Sequence, residues 1–509
     1  MHKLAKLDHQ FVWHPFTQMR DWLKREPIVI TSGKGAVLRD AQGHEYLDAN
    51  SSIWTNLHGH AHPRINRAIQ KQLQKISHSS ALGFANEPAS LLAGQLVEAA
   101  NPGHGAQASS LRGGAASLPP VHGARMLLKP AGWKPALQLS KVFYSDDGST
   151  AMEVALKLAY EFARRSGRSQ RPKFLSLDGA YHGDTIGAVS AGHIDLFHKA
   201  YSGMLFKTDK VAAPYCYRCR FNKAKPERGD ARDYRKCNFE CLKLVEQKFS
   251  AQRKTKNPYA AMVVEPLMQG AAGMIAQPDG WLRRVAEIVR NDGAQLIADE
   301  VMTGFGRTGF RENGKTSLSH PPAFSPALFA CHQENVQPDF MALAKGMTGG
   351  YLPMAATLTT QKVFDAFLGE YGEFKTFFHG HSFTGNQLGS AAALASLEIL
   401  QSPKSISARQ SLQENLSTEL KKLWALPNVG DIRQVGLMAG IELVKTWETR
   451  EPFALRERAG IRVCEAMARR GVLTRPIGNV IVIMPPYCTT KTQMAKMIAA
   501  LAESVAEIL

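Results

Sequence analysis

The fold is decided by two apolar runs and the glycine-punctuated loop behind the first. The first run is Gln295-Leu296-Ile297-Ala298-Asp299-Glu300, which passes into Val301-Met302-Thr303-Gly304-Phe305-Gly306-Arg307-Thr308-Gly309. The second is Phe340-Met341-Ala342-Leu343-Ala344-Lys345, with Gly346 and the pair Gly349-Gly350 just behind it. Both have strand length and are bounded by turn residues, so each reads as a buried strand. One ends in acid and the other on a lysine. Charges at strand ends suit a site at the carboxyl edge of a parallel sheet, where open α/β folds bind their ligands. The plainer reading is two ordinary buried strands with terminal charges, and these runs alone do not separate the two.

A buried carboxylate facing a lysine across a cofactor ring is the arrangement pyridoxal phosphate requires. The lysine holds the aldehyde as a Schiff base and the acid pairs with the pyridinium nitrogen. Other stretches add weight to that reading. They are Trp13-His14-Pro15-Phe16-Thr17-Gln18-Met19, Ser145-Asp146-Asp147-Gly148-Ser149-Thr150, Tyr181-His182-Gly183-Asp184-Thr185, His379-Gly380-His381-Ser382-Phe383-Thr384-Gly385-Asn386, and Arg475-Pro476-Ile477-Gly478 leading into Met484-Pro485-Pro486. With 299–309 and 343–346, they make the chain resemble the class III aminotransferases over nearly its whole length. The branch resembled is the one of biotin synthesis. That resemblance implies an α/β architecture of fold type I. A large domain holds a mostly parallel central sheet, and the N-terminal segment and the C-terminus form a smaller α/β domain. The boundaries expected are 1–60 for the N-terminal segment, 61–399 for the cofactor domain and 400–509 for the C-terminal part.

The same resemblance implies the reaction and its residues. An amino group passes from S-adenosylmethionine to 8-amino-7-oxononanoate, giving 7,8-diaminononanoate. The alternatives are the same reaction with lysine as donor, or another ω-amino acid or diamine aminotransferase. Lys345 is the expected Schiff-base lysine and proton shuttle, a role that needs a depressed pKa. Asp299 is the partner of the ring nitrogen, and Tyr181 stacks on the ring. Gly148 and Ser149 open a helix whose free N–H groups suit a phosphate. His381 and Ser382 complete the cofactor contacts, Ser382 from the other subunit of a homodimer. Phe16, Ile53, Trp54, Asp184, Gly380 and Arg475 are the substrate contacts, with Arg475 suited to a substrate carboxylate. Two departures bear on the donor: Phe16 stands where the resembled branch has a tyrosine, and Ile53 where it has a tryptophan. Ala272 replaces the loop glutamate of ornithine- and GABA-type relatives, which weighs against that branch.

Composition sets the remaining bounds. A chain of 509 residues with 44% hydrophobic content buries a large core. No apolar run reaches the roughly 18 residues a membrane span needs, and the start, Met1-His2-Lys3-Leu4-Ala5-Lys6-Leu7-Asp8, lacks the apolar core of a secretion signal. A cytoplasmic enzyme is the expectation. The formal charge of +18 is concentrated in two inserts, 103–140 and 215–256. The second holds 13 Lys/Arg against 5 Asp/Glu. No nucleic-acid motif accompanies that surplus, so a solvated basic surface is the expectation, with no nucleic-acid or membrane partner. Insert 103–140, rich in Gly, Ala, Pro and Ser, reads as a loosely packed surface segment.

Insert 215–256 also holds Cys216, Cys219, Cys237 and Cys241 in a Cys-x2-Cys, 17-residue, Cys-x3-Cys spacing, close to a four-thiolate zinc site. A structural zinc and reduced packing cysteines both fit. A reducing cytoplasm argues against disulfides, and the resembled chemistry needs no thiol. Elsewhere the pattern gives helices at 63–77, 88–100, 145–164, 281–291, 385–400, 412–424 and 459–470. Strands are expected at 141–144, 173–177, 260–266, 350–357, 440–444 and 480–484. Residues 50–63 read as a loop.

Overall fold

Runs with no polar face to offer solvent become interior strands, and this chain has several. In the computed structural model, which describes residues 1–102, 138–310 and 327–509, seven of them form one sheet. They are β1 (Leu139–Ser145), β2 (Lys173–Leu177), β3 (Asp209–Val211), β4 (Tyr259–Val264), β5 (Gln295–Asp299), β6 (Phe340–Leu343) and β7 (Ala355–Thr360). β4, β5, β6 and β7 are buried at every position. Such strands belong in a sheet covered on both faces.

The spatial order is β1-β7-β6-β5-β4-β2-β3. β7 runs against both its neighbours, and the other pairs are parallel. The carboxyl ends of β1 to β6 therefore emerge on one edge. Helices cover the faces: α1 (Gly148–Arg165), α2 (Glu240–Arg253), α3 (Trp281–Asp292) and α4 (Gln387–Leu400). α1 starts firmly, because Asp147 accepts the Thr150 N–H at 2.8 Å while the Thr150 hydroxyl accepts the Asp147 N–H at 3.0 Å, a capping box. Its buried stripe, from Ala151 to Ala163, packs on the sheet in one cluster with Ile297, Phe340 and Ala355.

The ends of the chain meet. Ile30–Lys34, Val37–Asp40 and Glu45–Asp48 make an antiparallel unit, and Val472–Leu473 adds to it in parallel, Val472 opposite Leu47. A second antiparallel sheet takes Val429–Val435, Met438–Leu443, Val480–Ile483 and Pro476–Ile477 in that order. One apolar cluster runs from Met341 and Leu343 through Leu416 and Ile441 to Leu501 and Leu47. The C-terminal part is thus seated on the edge of the large sheet that matters below.

Several expected boundaries move. The strand expected at 350–357 begins only at Ala355, because Gly349 and Gly350 are left-handed (φ +67° and +83°) and Pro353 follows. The helix expected at 412–424 starts at Pro403, capped by the Ser402 hydroxyl. Its continuation, Lys421–Ala425, is a 3-10 turn. Within 50–63, expected as a loop, Ser51–Trp54 forms a turn in which four successive non-glycine residues have φ between 46° and 68°. Most of insert 103–140 lies outside the described residues. No described helix is long and apolar enough to cross a membrane.

Candidate active site

Asp299 is the last residue of β5 and is 5% exposed. Its register partner on β6 is Ala342, so Lys345 leaves the same edge three residues further on. The Asp299 carboxylate is held on both oxygens: Oδ1 accepts the Val301 N–H at 3.1 Å, and Oδ2 accepts from His182 Nδ1 at 2.7 Å. Burial alone would depress the His182 pKa. The hydrogen bond to Asp299, with the charges of Asp299 and Glu265, outweighs that and raises it. The His182 ring, bonded behind Asp299, keeps the carboxylate aimed. The next acid turns away from the site. Glu300 accepts from the Thr303 hydroxyl and from the Ala330 and Cys331 N–H groups, so it serves structure.

Lys345 opens a 3-10 turn with φ at +45°, a conformation that costs an L-residue on the order of 1 kcal/mol. Its ammonium lies 5.0 Å from the centre of the Trp54 ring. Burial lowers its pKa, while Asp299 and Glu265 pull the other way and the net shift is downward. A side chain with more neutral amine at physiological pH is the result.

Glu265 is one residue past β4 on the same edge and is buried. It accepts the Gly270 N–H at 2.7 Å and the Tyr181 N–H at 3.2 Å, tying two loops of the site together. Burial pushes its pKa up to about 7, against the pull of His182. Tyr181 donates its O–H to Asp184 at 2.8 Å, and burial followed by that bond raises its pKa.

These residues line a cavity of about 680 Å³ together with Gly148 and Ser149. The N–H groups of Gly148 and Ser149 have no intrahelical acceptor, being first in α1. A Cβ on Gly148 would lie 2.6 Å from Val301, and one on Gly183 would lie 2.3 Å from the Ser149 hydroxyl, so both positions need glycine. Ser149 Oγ in turn accepts the Thr185 N–H at 2.9 Å. An anion-ready helix start at one end, a carboxylate beneath and an amine above fit pyridoxal phosphate in size and charge.

Trp54 and Ala271 also wall a second cavity of about 1360 Å³. Phe16, Ile53 and Arg475 line it. Arg475 is exposed, and no hydrogen bond or ion pair engages its guanidinium among the described residues. The Ser51–Trp54 turn that carries Ile53 and Trp54 is held from below. Asp48 accepts the Ser52 N–H at 2.9 Å and its hydroxyl at 2.8 Å, and Ser51 donates to the Met484 carbonyl at 2.6 Å.

Of the residues singled out from sequence, Lys345, Asp299, Tyr181, Asp184, Gly148, Ser149 and Trp54 come together around the smaller cavity. Phe16, Ile53 and Arg475 gather in the larger one. Gly380, His381 and Ser382 line neither cavity of their own chain; His381 Nδ1 instead bonds Asp146 Oδ2 at 2.8 Å. His182, Glu265 and Asp48 received no role from sequence. Glu265 had a readable signal, the same acid-at-strand-end pattern as Asp299.

The basic insert also differs from expectation. Its arginines dock on the C-terminal part: Arg218 pairs with Glu442 at 2.7 Å, Arg228 donates to the Leu426 and Val429 carbonyls, and Arg232 donates to the Gln434 carbonyl. Part of the surplus charge is thus engaged with backbone carbonyls, which accept hydrogen bonds and supply no formal charge. Cys216, Cys219, Cys237 and Cys241 are free thiols lining the larger cavity. As they stand, no three His, Cys, Asp or Glu side chains among the described residues are gathered to hold a metal ion.

The chain is similar to known proteins over almost its whole length. A protein of Geobacter sulfurreducens called adenosylmethionine-8-amino-7-oxononanoate aminotransferase is 43% identical over 502 residues, covering 99% of this chain and 97% of its own. One of the same name from Nitratidesulfovibrio vulgaris is 44% identical, covering 97% and 80%. Among solved structures, the enzyme of that name from Methanocaldococcus jannaschii superposes with a TM-score of 0.82 at 38% identity, over 99% of each chain. An (S)-enantioselective omega-transaminase from Thermomicrobium roseum does so at 0.81 and 26%, over 100% of this chain and 98% of its own. Residues 19–505 match the sequence model of the aminotransferase class-III family. The chain belongs to the class III aminotransferases, the pyridoxal-phosphate-dependent transaminases of fold type I.

Proposed function

We propose that this enzyme transfers an amino group from S-adenosylmethionine to 8-amino-7-oxononanoate, giving 7,8-diaminononanoate for biotin synthesis. The observation that carries the reading is the pairing of two chemistries across Trp54. On one side stand an amine and a carboxylate at strand ends; on the other stands an uncommitted guanidinium in a roomy cavity. Full-length relatives bearing the name of that reaction support it.

Bound pyridoxal phosphate supplies an electron sink that makes the hydrogen beside the substrate nitrogen acidic. Asp299, fixed by His182 and Val301, holds the ring nitrogen in its protonated form. Lys345 anchors the cofactor at rest and afterwards takes up and returns the proton, work that needs the neutral amine its burial favours. Gly148 and Ser149 bind the phosphate through their N–H groups, and Tyr181, set by Glu265 and Asp184, flanks the ring. Phe16, Ile53, Trp54 and Asp184 shape the substrate pocket, and Arg475 takes the remote carboxylate of the keto acid. Ser382, His381 and Gly380 complete the site of a second copy in a homodimer. Phe84, Phe374, Phe378 and Phe383 are exposed apolar side chains of the kind an interface between copies would cover.

A direct test mixes the cofactor-loaded enzyme with S-adenosylmethionine or with lysine, follows the absorbance of the bound cofactor, and then adds 8-amino-7-oxononanoate. Decay with S-adenosylmethionine and recovery with the keto acid are expected. Decay with lysine alone would change the donor, and no recovery after either would reject the substrate.

A further inference from the structure

Residues 48–60 include the turn that walls the smaller cavity, and most of their polar side chains have a partner within the chain. Asp48 accepts twice from Ser52 and pairs with His60 Nε2 at 3.0 Å, and Asn56 Oδ1 accepts the Gly59 N–H at 2.9 Å. Asn50 is different. It is 4% exposed, and its Oδ1 is buried with no hydrogen-bond partner among the described residues. It stands just ahead of the Ser51–Trp54 turn, where an asparagine commonly caps with its side chain, yet no such bond is made. Its backbone carbonyl accepts the Trp54 N–H at 2.9 Å. The carboxamide is therefore not needed to build the turn.

A buried amide without a partner costs free energy that an apolar side chain of similar size avoids. Asn50 lines the larger cavity and not the smaller one, where Lys345 and Asp299 stand. The same wall carries Ile53, Ile275, Ile477 and Val482, whose side chains offer no hydrogen bond. The partner of the amide then comes from what fills the cavity. A carboxamide is neutral and presents an acceptor beside two donors in one plane. Its terminal torsion is broad, so Oδ1 and Nδ2 turn toward a ligand at small cost. A carboxylate, which only accepts, is better served by Arg475 in the same cavity. The matching group is a flat edge with a donor next to an acceptor. Adenine has one in its N6 amino group and N7, the edge asparagine pairs with in nucleic acids. Phe16 and Phe197, with ring centres 5.2 Å apart, line this cavity too and add aromatic surface on which a base can stack. At about 1360 Å³ the cavity has room for a nucleoside.

Resting on S-adenosylmethionine as the donor, we infer that Asn50 is a specificity-determining residue that reads the adenine of that donor, Oδ1 accepting from the N6 amino group and Nδ2 donating to N7. The keto acid has no such edge. Beyond its reacting end it carries methylenes and a carboxylate. Two substrates that enter one cavity in turn are thus told apart by two side chains of its wall, the acid by Arg475 and the nucleoside by Asn50.

The test pairs a change in the protein with a change in the ligand. Adenosine, and purine riboside, which lacks the N6 amino group, are each bound to the full-length, cofactor-loaded enzyme, and their dissociation constants are measured by equilibrium dialysis. Loss of the amino group is expected to weaken binding about 10-fold in the unaltered chain and by less than about 2-fold in Asn50→Leu. Asn50→Leu is also expected to raise the half-saturating concentration of S-adenosylmethionine by about 10-fold more than that of the keto acid. Its melting temperature without ligand should not fall, since the Asn50 side chain has no protein partner to lose. Equal affinity of the unaltered chain for the two nucleosides would overturn the inference, as would the same 10-fold loss in the variant, or no binding of adenosine at all. With S-adenosylmethionine still discharging the bound cofactor, each of those results leaves the donor standing and removes only the role of Asn50. Failure of S-adenosylmethionine to react with the unaltered enzyme removes the donor, and the inference with it. If Asn50→Leu does not fold, the two nucleosides on the unaltered chain decide.

Discussion

Lys345 and Trp54 face each other at 5.0 Å, yet they come from two kinds of structure. Lys345, Asp299 and Glu265 sit at or within two residues of the ends of buried strands, so the sheet sets where they leave its edge, with Lys345 turned by a left-handed φ. Trp54, Ile53, Phe16 and Arg475 come from the turns and loops of the two chain ends; the first three have left-handed backbone, and the Ser51–Trp54 turn is tied to Met484. The first group carries charges that must not move. The second shapes a cavity whose walls differ in source and can be changed without touching the sheet. On the function proposed above, reaction type resides in the strand ends and choice of substrate in the loops around them.

If that division is right, damage to the sheet edge should strike turnover itself. Lys345→Ala is expected to lose at least about 10⁴-fold in kcat and the absorbance of the bound cofactor, since it removes the anchor and the proton carrier together. Retained turnover would break the comparison at its strongest point. Asp299→Asn comes next, at roughly 10²- to 10³-fold in kcat/KM. The asparagine still bonds His182 but carries no charge for the ring nitrogen. An altered cofactor spectrum in a variant that still binds the cofactor would separate this from simple loss of affinity.

The outer wall should behave differently. Arg475→Ala is expected to raise KM for the keto acid by about 10- to 100-fold, the worth of one charge-assisted hydrogen bond, with the donor half-reaction unchanged. A fall in kcat for both half-reactions would move Arg475 from the wall to the machinery and blur the division.

The same contrast explains what was legible in the sequence. Strands β4, β5 and β6 could be read because each has an apolar run between turn residues, and Asp299 and Lys345 because each ends such a run. The start of the Pro403 helix is also legible, in Ser402 followed by proline, although its apolar stripe begins only at Leu412. The left-handed Ser51–Trp54 turn was not legible. It contains no glycine, and its supports are Asp48 and the carbonyl of Met484, far along the chain. The docking of the basic insert was hidden for the same reason, because Glu442 and the carbonyls of Leu426 and Val429 become its partners only in three dimensions.

The smallest expected effect concerns how the wall is tethered to the core. His58, four residues past Trp54, is buried and bonds the Ser396 hydroxyl of α4 at 2.9 Å. Burial, then the charges of His62, Arg409 and Arg307, pulls its pKa down to about 3. The unfolded chain takes up that proton near 6.5, so below this pH the native state binds fewer protons than the unfolded one. Stability from neutral His58 is therefore complete above about pH 6.5 and is lost as pH falls toward 3. Between pH 7 and 5 the loss is about 2 kcal/mol. His193 and His332, both depressed to about 4 chiefly by burial, act in the same direction. His58→Gln keeps a hydrogen-bonding group for Ser396 but cannot titrate. Its melting temperature should fall less steeply than that of the unaltered chain between pH 7 and 5, by about two degrees. Parallel curves would mean that His58 is not the acid-sensitive tether, and that the wall is held by Asp48 and the left-handed turn alone.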